Sequence, residues 1–299
     1  MAPFDIHDKP ACLANILVLD LDGSVSLPGM ITRLDLRSYE EKVRYYAGFG
    51  DMAALERAIE EEAGAPRIVF LGSGDFHHIS YLLIKHMPQT VQVIVFDNHP
   101  DNMFFPAGIH CGSWVYHASK LPNVSNIAVF GIASRDIAGP DLFQNRFSVI
   151  KAGKVKYYCL APVSKLAKLL GGPGIEDISA SQKSMAEIVE RHVRNNGSPV
   201  YLSIDKDVLA HSVVGATWDQ GKMREDELLT CIGTIAPKVI AADVAGDISS
   251  YNYRSFMKRL MRRLDGYEPV PGPLEEARLR HGDINMKIVS LLGKRRGRC

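Results

Sequence analysis

The stretch Val95-Phe96-Asp97-Asn98-His99-Pro100-Asp101 sets three metal-competent side chains at alternate positions, at the end of the apolar run from Val91 to Phe96. In an extended backbone, side chains at i, i+2 and i+4 leave the same face, so Asp97, His99 and Asp101 would converge on one point. A second acidic end follows in Val200-Tyr201-Leu202-Ser203-Ile204-Asp205-Lys206-Asp207, where two carboxylates again stand two apart. Any one of these aspartates could instead cap a turn or a helix N-terminus. Two acidic strand ends in one chain predict a metal cluster. Four aspartates balance two divalent cations in charge, and neutral imidazoles add none. An oxygen-rich set with some nitrogen suits Mn²⁺, with Fe²⁺, Co²⁺ and Zn²⁺ as alternatives. Two such ions roughly 3.5 Å apart can share a bridging water and lower its pKa toward neutrality, making a hydroxide nucleophile.

The elements that must position these groups are legible as apolar, β-branched runs. Strands are expected at Ile16 to Leu19, Arg67 to Leu71, Val91 to Phe96, Ile127 to Phe130, Val155 to Cys159, Val200 to Ile204 and Val239 to Ala242. Near-continuous apolar runs mark strands covered on both faces of a parallel sheet. Helical patterns lie between them. Ser181 to Asn195 carries Met185, Ile188, Val189 and Val193 on one stripe and is closed by Asn196-Gly197, with Pro199 beyond. Asp51 to Ala63 is a second helix, capped by Asp51 and stopped by Gly64 and Pro66. Strand–helix alternation over the whole length predicts a single three-layer αβα domain over residues 1–299 with a mainly parallel central sheet. Ligand sites in such folds form beyond the carboxyl ends of the strands, where both acidic motifs fall.

Composition narrows the class. With 46% hydrophobic and 23% charged residues the chain is an ordinary globular one, and a net charge of +1 argues against nucleic acid as a partner. The basic cluster Lys294-Arg295-Arg296-Gly297-Arg298 reads as a solvated tail. Five scattered cysteines without a CxxC indicate neither a disulfide framework nor a thiolate zinc site. Met1 to Asp5 lacks the pattern of a signal peptide, and no run of 18 apolar residues exists to span a membrane. A cytoplasmic location is expected.

A third segment precedes the two acidic ends: Gly72-Ser73-Gly74-Asp75-Phe76-His77-His78, a glycine turn opening a helix. In that order, Gly-Ser-Gly-Asp-Phe-His-His, Asp-Asn-His-Pro-Asp and Ser-Ile-Asp-Lys-Asp resemble the GGDH-type turn, DAHxD and SxDxD motifs of the arginase–agmatinase (ureohydrolase) superfamily. The likeness runs from about residue 67 to 247 and marks a divergent member. It implies an arginase-like fold, two metal ions, Mn²⁺ first, and six ligands: His77, Asp97, His99, Asp101, Asp205 and Asp207. His77 is preferred to His78 because it leaves apolar Ile79 where the family's helix turns inward. Histone-deacetylase-like enzymes share the fold with a single metal, and retention of Asp101 and the glycine-turn histidine favours two here.

The resemblance also implies a hydrolase of guanidino or amidino C–N bonds acting through a metal-bridging hydroxide, with Asp101 accepting a proton from the water. His110, in Ala107-Gly108-Ile109-His110-Cys111-Gly112, stands where the family keeps a proton-shuttling histidine, a task suited to an imidazole pKa near 6.5. Its neighbour Cys111 is expected to be structural. Asp243 matches a position where the family has a Glu facing the guanidinium, and is the expected substrate anchor. The apolar Asn102-Met103-Phe104-Phe105-Pro106, the run Val208-Leu209-Ala210-His211-Ser212 in place of Asp-Pro, and Trp218-Asp219-Gln220-Gly221 all depart from the family pattern. They point away from free arginine, toward another guanidine, an amidine or a peptide-borne arginine. Similar enzymes assemble as homo-oligomers, which is the expectation here.

Two rival readings remain from the sequence. Leu19-Asp20-Leu21-Asp22-Gly23-Ser24 looks like the DxDG(T/S) nucleophile motif of haloacid-dehalogenase-type phosphatases, although no later Lys and paired acids complete it. The other is an arginase-like protein that binds metal without catalysis.

Overall fold

The computed structural model describes residues 16–29, 31–62, 67–216, 218–264 and 274–293. The basic tail, the Met1 to Asp5 segment, Cys12, Cys299 and the expected helix stop at Gly64 and Pro66 lie outside the described residues.

Among the described residues eleven strands form: β1 Ile16–Asp20, β2 Thr32–Asp35, β3 Tyr46–Ala47, β4 Ile68–Phe70, β5 Val91–Phe96, β6 Ile109–His110, β7 Val124–Ile132, β8 Val155–Cys159, β9 Ile175–Asp177, β10 Val200–Asp205 and β11 Val239–Ala245. All seven apolar runs of the sequence are among them. Nine make one sheet in the order β2-β1-β4-β11-β10-β5-β7-β8-β9, and every pairing in it is parallel. β3 and β6 form a small antiparallel pair. The strands with no sequence signal are short or lie at the sheet's rim. β2 is an edge strand, TRLD, largely exposed, so it lacks the apolar run that betrays a central strand.

Successive residues of each central strand feed opposite faces. Val93 and Val95 join one buried cluster with Leu17, Leu19 and Trp114, while Ile94 and Phe96 join the other with Val18, Phe70 and Ile188. That two-sided burial makes the layers. Helix Met185–Asn196 starts where a capping box allows: the Ser184 hydroxyl accepts from the Glu187 N–H and the Glu187 carboxylate accepts from the Ser184 N–H. Gly197, at φ 73°, ends it in the left-handed conformation. Helix Phe49–Glu62 begins two residues before the expected cap, which puts Asp51 in its first turn.

The strand order carries the functional consequence. The chain runs β4 then β5, but β10 and β11 insert between them. The loops after four adjacent strands therefore open at one end of the sheet, and they contain the glycine turn, both acidic motifs and the segment around Asp243.

Candidate metal centre

The glycine turn leaves β4 through Ser73, whose hydroxyl accepts from the Asp75 N–H, and winds into a 3-10 helix over Gly74–Ile79. This presents His77 to the strand ends. A Cβ on Gly74 would meet Asp205 Oδ2 at 2.9 Å and one on Gly246 would meet Asp205 Oδ1 at 2.4 Å, so glycine at both positions lets the turns close round that carboxylate. After β5 the three alternate side chains do converge, but not on an extended backbone. The His99 N–H closes onto Asp97 Oδ1 at 2.6 Å and Asp101 turns into the left-handed region at φ 47°. Trp114 Nε1 donates to Asp101 Oδ2 at 2.7 Å and fixes that carboxylate. After β10, the Asp207 N–H donates to Asp205 Oδ1 at 3.0 Å.

All six expected ligands meet. His77 Nδ1 lies 3.0 Å from Asp97 Oδ2, 3.1 Å from Asp101 Oδ2 and 3.6 Å from Asp205 Oδ2. His99 Nδ1 lies 2.9 Å from Asp207 Oδ2 and 3.6 Å from Asp97 Oδ1. His77, Asp97 and Asp205 can surround one ion and Asp97, His99 and Asp207 another, so the Asp97 carboxylate is shared between two positions. His78 is as buried as His77 but makes none of these contacts.

The electrostatics test whether cations fit. The four carboxylates are nearly fully buried and face one another, and His77 Nδ1 is a buried atom with no hydrogen-bond partner despite its short distances. Donor atoms aimed at a common point, without protons aligned between them, are what a cation would satisfy. Without one, the acids cannot all ionise. Burial and the Asp97 charge lift Asp101 to about 8 and Asp207 to about 6, and burial with Asp207 alongside raises Asp205 well above the carboxylate range. Burial opposes charge on Asp97, His77 and His99 too. Their mutual attraction wins, holding Asp97 low and both imidazoles high. The donor set thus fits two divalent cations.

The centre forms part of the wall of a cavity of about 800 Å³. His110 joins the wall. Its Nδ1 accepts from the Gly112 N–H at 2.9 Å, so the ring proton sits on Nε2, which has no partner among the described residues. Burial lowers its pKa to about 4, well below the near-neutral value expected of a shuttle. Cys111 Sγ lies 3.6 Å from His110 Nδ1, so these sequence neighbours do touch.

Asp243 corrects an expectation. Strand pairing sets it opposite Ser203, fully buried beneath the centre and away from the cavity wall. Its carboxylate accepts from Ser203 Oγ at 2.7 Å, Ser80 Oγ at 3.0 Å and Tyr201 OH at 2.5 Å, which leaves it no approach to a substrate. The acids of the wall outside the metal centre are Asp136, Asp141 and Asp219, against one lining arginine, Arg135.

Sequence reasoning missed Trp114 and Ser203. Ser203 carried a signal: it stands two before Asp205, hence on the same face of β10. Trp114 carried none, because only folding brings it to Asp101.

Asp20 and Asp22 lie elsewhere. Asp20 pairs with Arg37 at 2.9 Å. Asp22 accepts from Ser249 Oγ at 2.6 Å and Ser24 Oγ at 2.6 Å and faces Arg44 at 3.6 Å. Neither lines the cavity, and Asp22 is not poised as a nucleophile.

No family model matches the sequence. An uncharacterized protein of Thermotoga maritima is 27% identical over 283 residues, covering 93% of this chain and 89% of that one. Among solved structures, proclavaminate amidino hydrolase from Streptomyces clavuligerus superposes with a TM-score of 0.54 at 13% identity, over 93% of this chain and 91% of that one. Arginase from Bacillus subtilis gives 0.53 at 14%, over 94% and 99%. Formiminoglutamase from Trypanosoma cruzi with Mn²⁺ gives 0.52 at 13%, over 82% and 72%. The chain has the arginase fold, as the three motifs led one to expect. No described helix is long and apolar enough to cross a membrane.

Proposed function

We propose that the protein is a binuclear metal-dependent hydrolase that cleaves a C–N bond of a guanidino or amidino substrate, as in linear amidines. The observation that carries this reading is the Asp97 carboxylate shared between the His77 and His99 triads in the wall of an open cavity. His77, Asp97, Asp101 and Asp205 would hold one ion, and Asp97, His99 and Asp207 the other. Bound there, the pair would supply a water acidified toward neutral pKa for attack on the trigonal carbon. Manganese is the first choice from the donor set, and the Mn²⁺ in the formiminoglutamase structure supports it.

The chain's own residues divide the remaining work. Asp101, oriented by Trp114, accepts the proton of the attacking water. His110 lines the wall as a neutral imidazole, since its depressed pKa leaves little imidazolium at neutral pH, so the proton that the departing nitrogen needs comes from Asp101, which took it from the water. With Asp243 withdrawn, Asp136, Asp141 and Asp219 give the wall an acidic excess that attracts a cationic substrate. The size of the cavity allows a body larger than free arginine, such as a peptide-borne guanidinium.

Metal analysis of the purified protein tests the centre: about two transition-metal ions per chain are expected, and none would sink the reading. Screening guanidino, amidino and arginyl-peptide compounds for release of urea or amine then tests the reaction. Two ions without turnover on any of them would leave a binding protein.

A further inference from the structure

Asp243, removed from the substrate wall, lies at the end of a hydrogen-bond chain that reaches the centre from behind. β10 and β11 pair in parallel with Ser203 opposite Asp243, which aligns their side chains on one face. Ser203 Oγ donates to Asp243 Oδ1 at 2.7 Å, and His77 Nε2 lies 2.9 Å from the same Ser203 Oγ. A hydroxyl has one proton. Once it is committed to the carboxylate, Ser203 can only accept from His77. Ser80 and Tyr201 donate to the same carboxylate, so its acceptor capacity is met by hydroxyls alone; no cation pairs with it among the described residues. All five groups are buried.

We propose that Asp243, acting through Ser203, is a positioning residue that keeps a His77 proton on Nε2 and so leaves Nδ1 as the nitrogen that binds a cation among the carboxylates. This rests on the binuclear reading above. A histidine ligand whose second nitrogen is held by an outer acceptor binds metal better because tautomer and ring plane are set beforehand. Among the described residues the other half of the centre has no such chain. His99 reaches Asp207 and Asp97 through Nδ1, and its side chain is 26% exposed. The two ion positions should therefore respond differently when the chain is cut.

The test is competition of Zn²⁺ against a chromophoric chelator for wild type, Ser203→Ala, Asp243→Asn and the double variant, with ¹⁵N spectra of the imidazole nitrogens. Ser203→Ala should weaken one ion roughly 10–100-fold and leave the other nearly unchanged. Asp243→Asn, nearly isosteric, should cost less, and the double variant should match Ser203→Ala alone because both changes cut one chain. In wild type the His77 Nε2 proton should be retained and slow to exchange; in Ser203→Ala it should exchange fast. Unchanged zinc affinities, losses that multiply in the double variant, or equal exchange rates would overturn the inference. If wild type takes up no ion, the binuclear reading fails by itself, and the exchange comparison on the metal-free protein still decides for or against the Ser203 link.

Discussion

Two acidic regions lie close together at the same end of the sheet and differ in what neutralises them. Around Arg44, Asp75 accepts from the guanidinium at 2.7 Å, Glu40 at 2.8 Å, and Asp22 stands 3.6 Å away. Phe76 and Tyr251 lie 5.1 and 5.2 Å from the same guanidinium. Behind Asp205, Lys206 pairs with Asp247 at 2.8 Å. In these places the chain supplies its own cation. In the candidate metal centre four carboxylates face two imidazoles and no Lys or Arg pairs with them among the described residues. Buried acids matched by a side-chain cation are structure, whereas buried acids turned on one another call for a cation from outside.

The sharpest way to break this contrast is Asp97→Asn. Because that carboxylate serves both positions, the variant should lose both ions and all measurable turnover, read by metal analysis and product release. Retention of two ions would show that Asp97 is not shared. On the other side, Arg44→Met should leave the metal donors in place yet destabilise the fold by roughly 3–5 kcal/mol in denaturant melts, since it strands buried carboxylates. A loss below about 1 kcal/mol would mean the Arg44 network is solvated.

Histidines sharpen the comparison further. His192, which no carboxylate contacts, bonds Tyr158 OH at 3.0 Å and Asn126 Oδ1 at 3.1 Å, and burial lowers it to about 4. The unfolded chain binds that proton near pH 6.5 and the folded chain only near 4. Its stabilising contribution is therefore complete above pH 6.5 and lost as pH falls toward 4, by at most about 3 kcal/mol. His192→Gln should flatten the pH dependence of stability across that window, and an unaltered slope would refute the assignment. The smallest effect belongs to Asp20→Asn, at a half-exposed pair remote from the cavity: turnover should match wild type, whereas a phosphatase using Asp20 would be inactive.

The strands were readable because central parallel strands are apolar on both faces, and the candidate ligands because their types and order follow the strand ends. Five of the six candidate ligands sit in two short motifs that local sequence displays directly. Asp243 shows where this stops. In the sequence it is one more acid after an apolar run, and only its register against Ser203 reveals that it faces inward. Trp114 and Arg44 are likewise unreadable, since their partners Asp101 and Asp75 come from segments 13 and 31 residues away.

Residue order alone determined the alternation of strands and helices, the capping of Met185–Asn196 and the identity of the metal-competent groups. Each depends on side-chain type and short-range spacing. The insertion of β10 and β11 between β4 and β5 decided everything that needs two distant segments: the shared Asp97, the withdrawal of Asp243 and the separation of Asp22 from the cavity. Register and sheet order are set by packing of the whole chain, and no local window contains them.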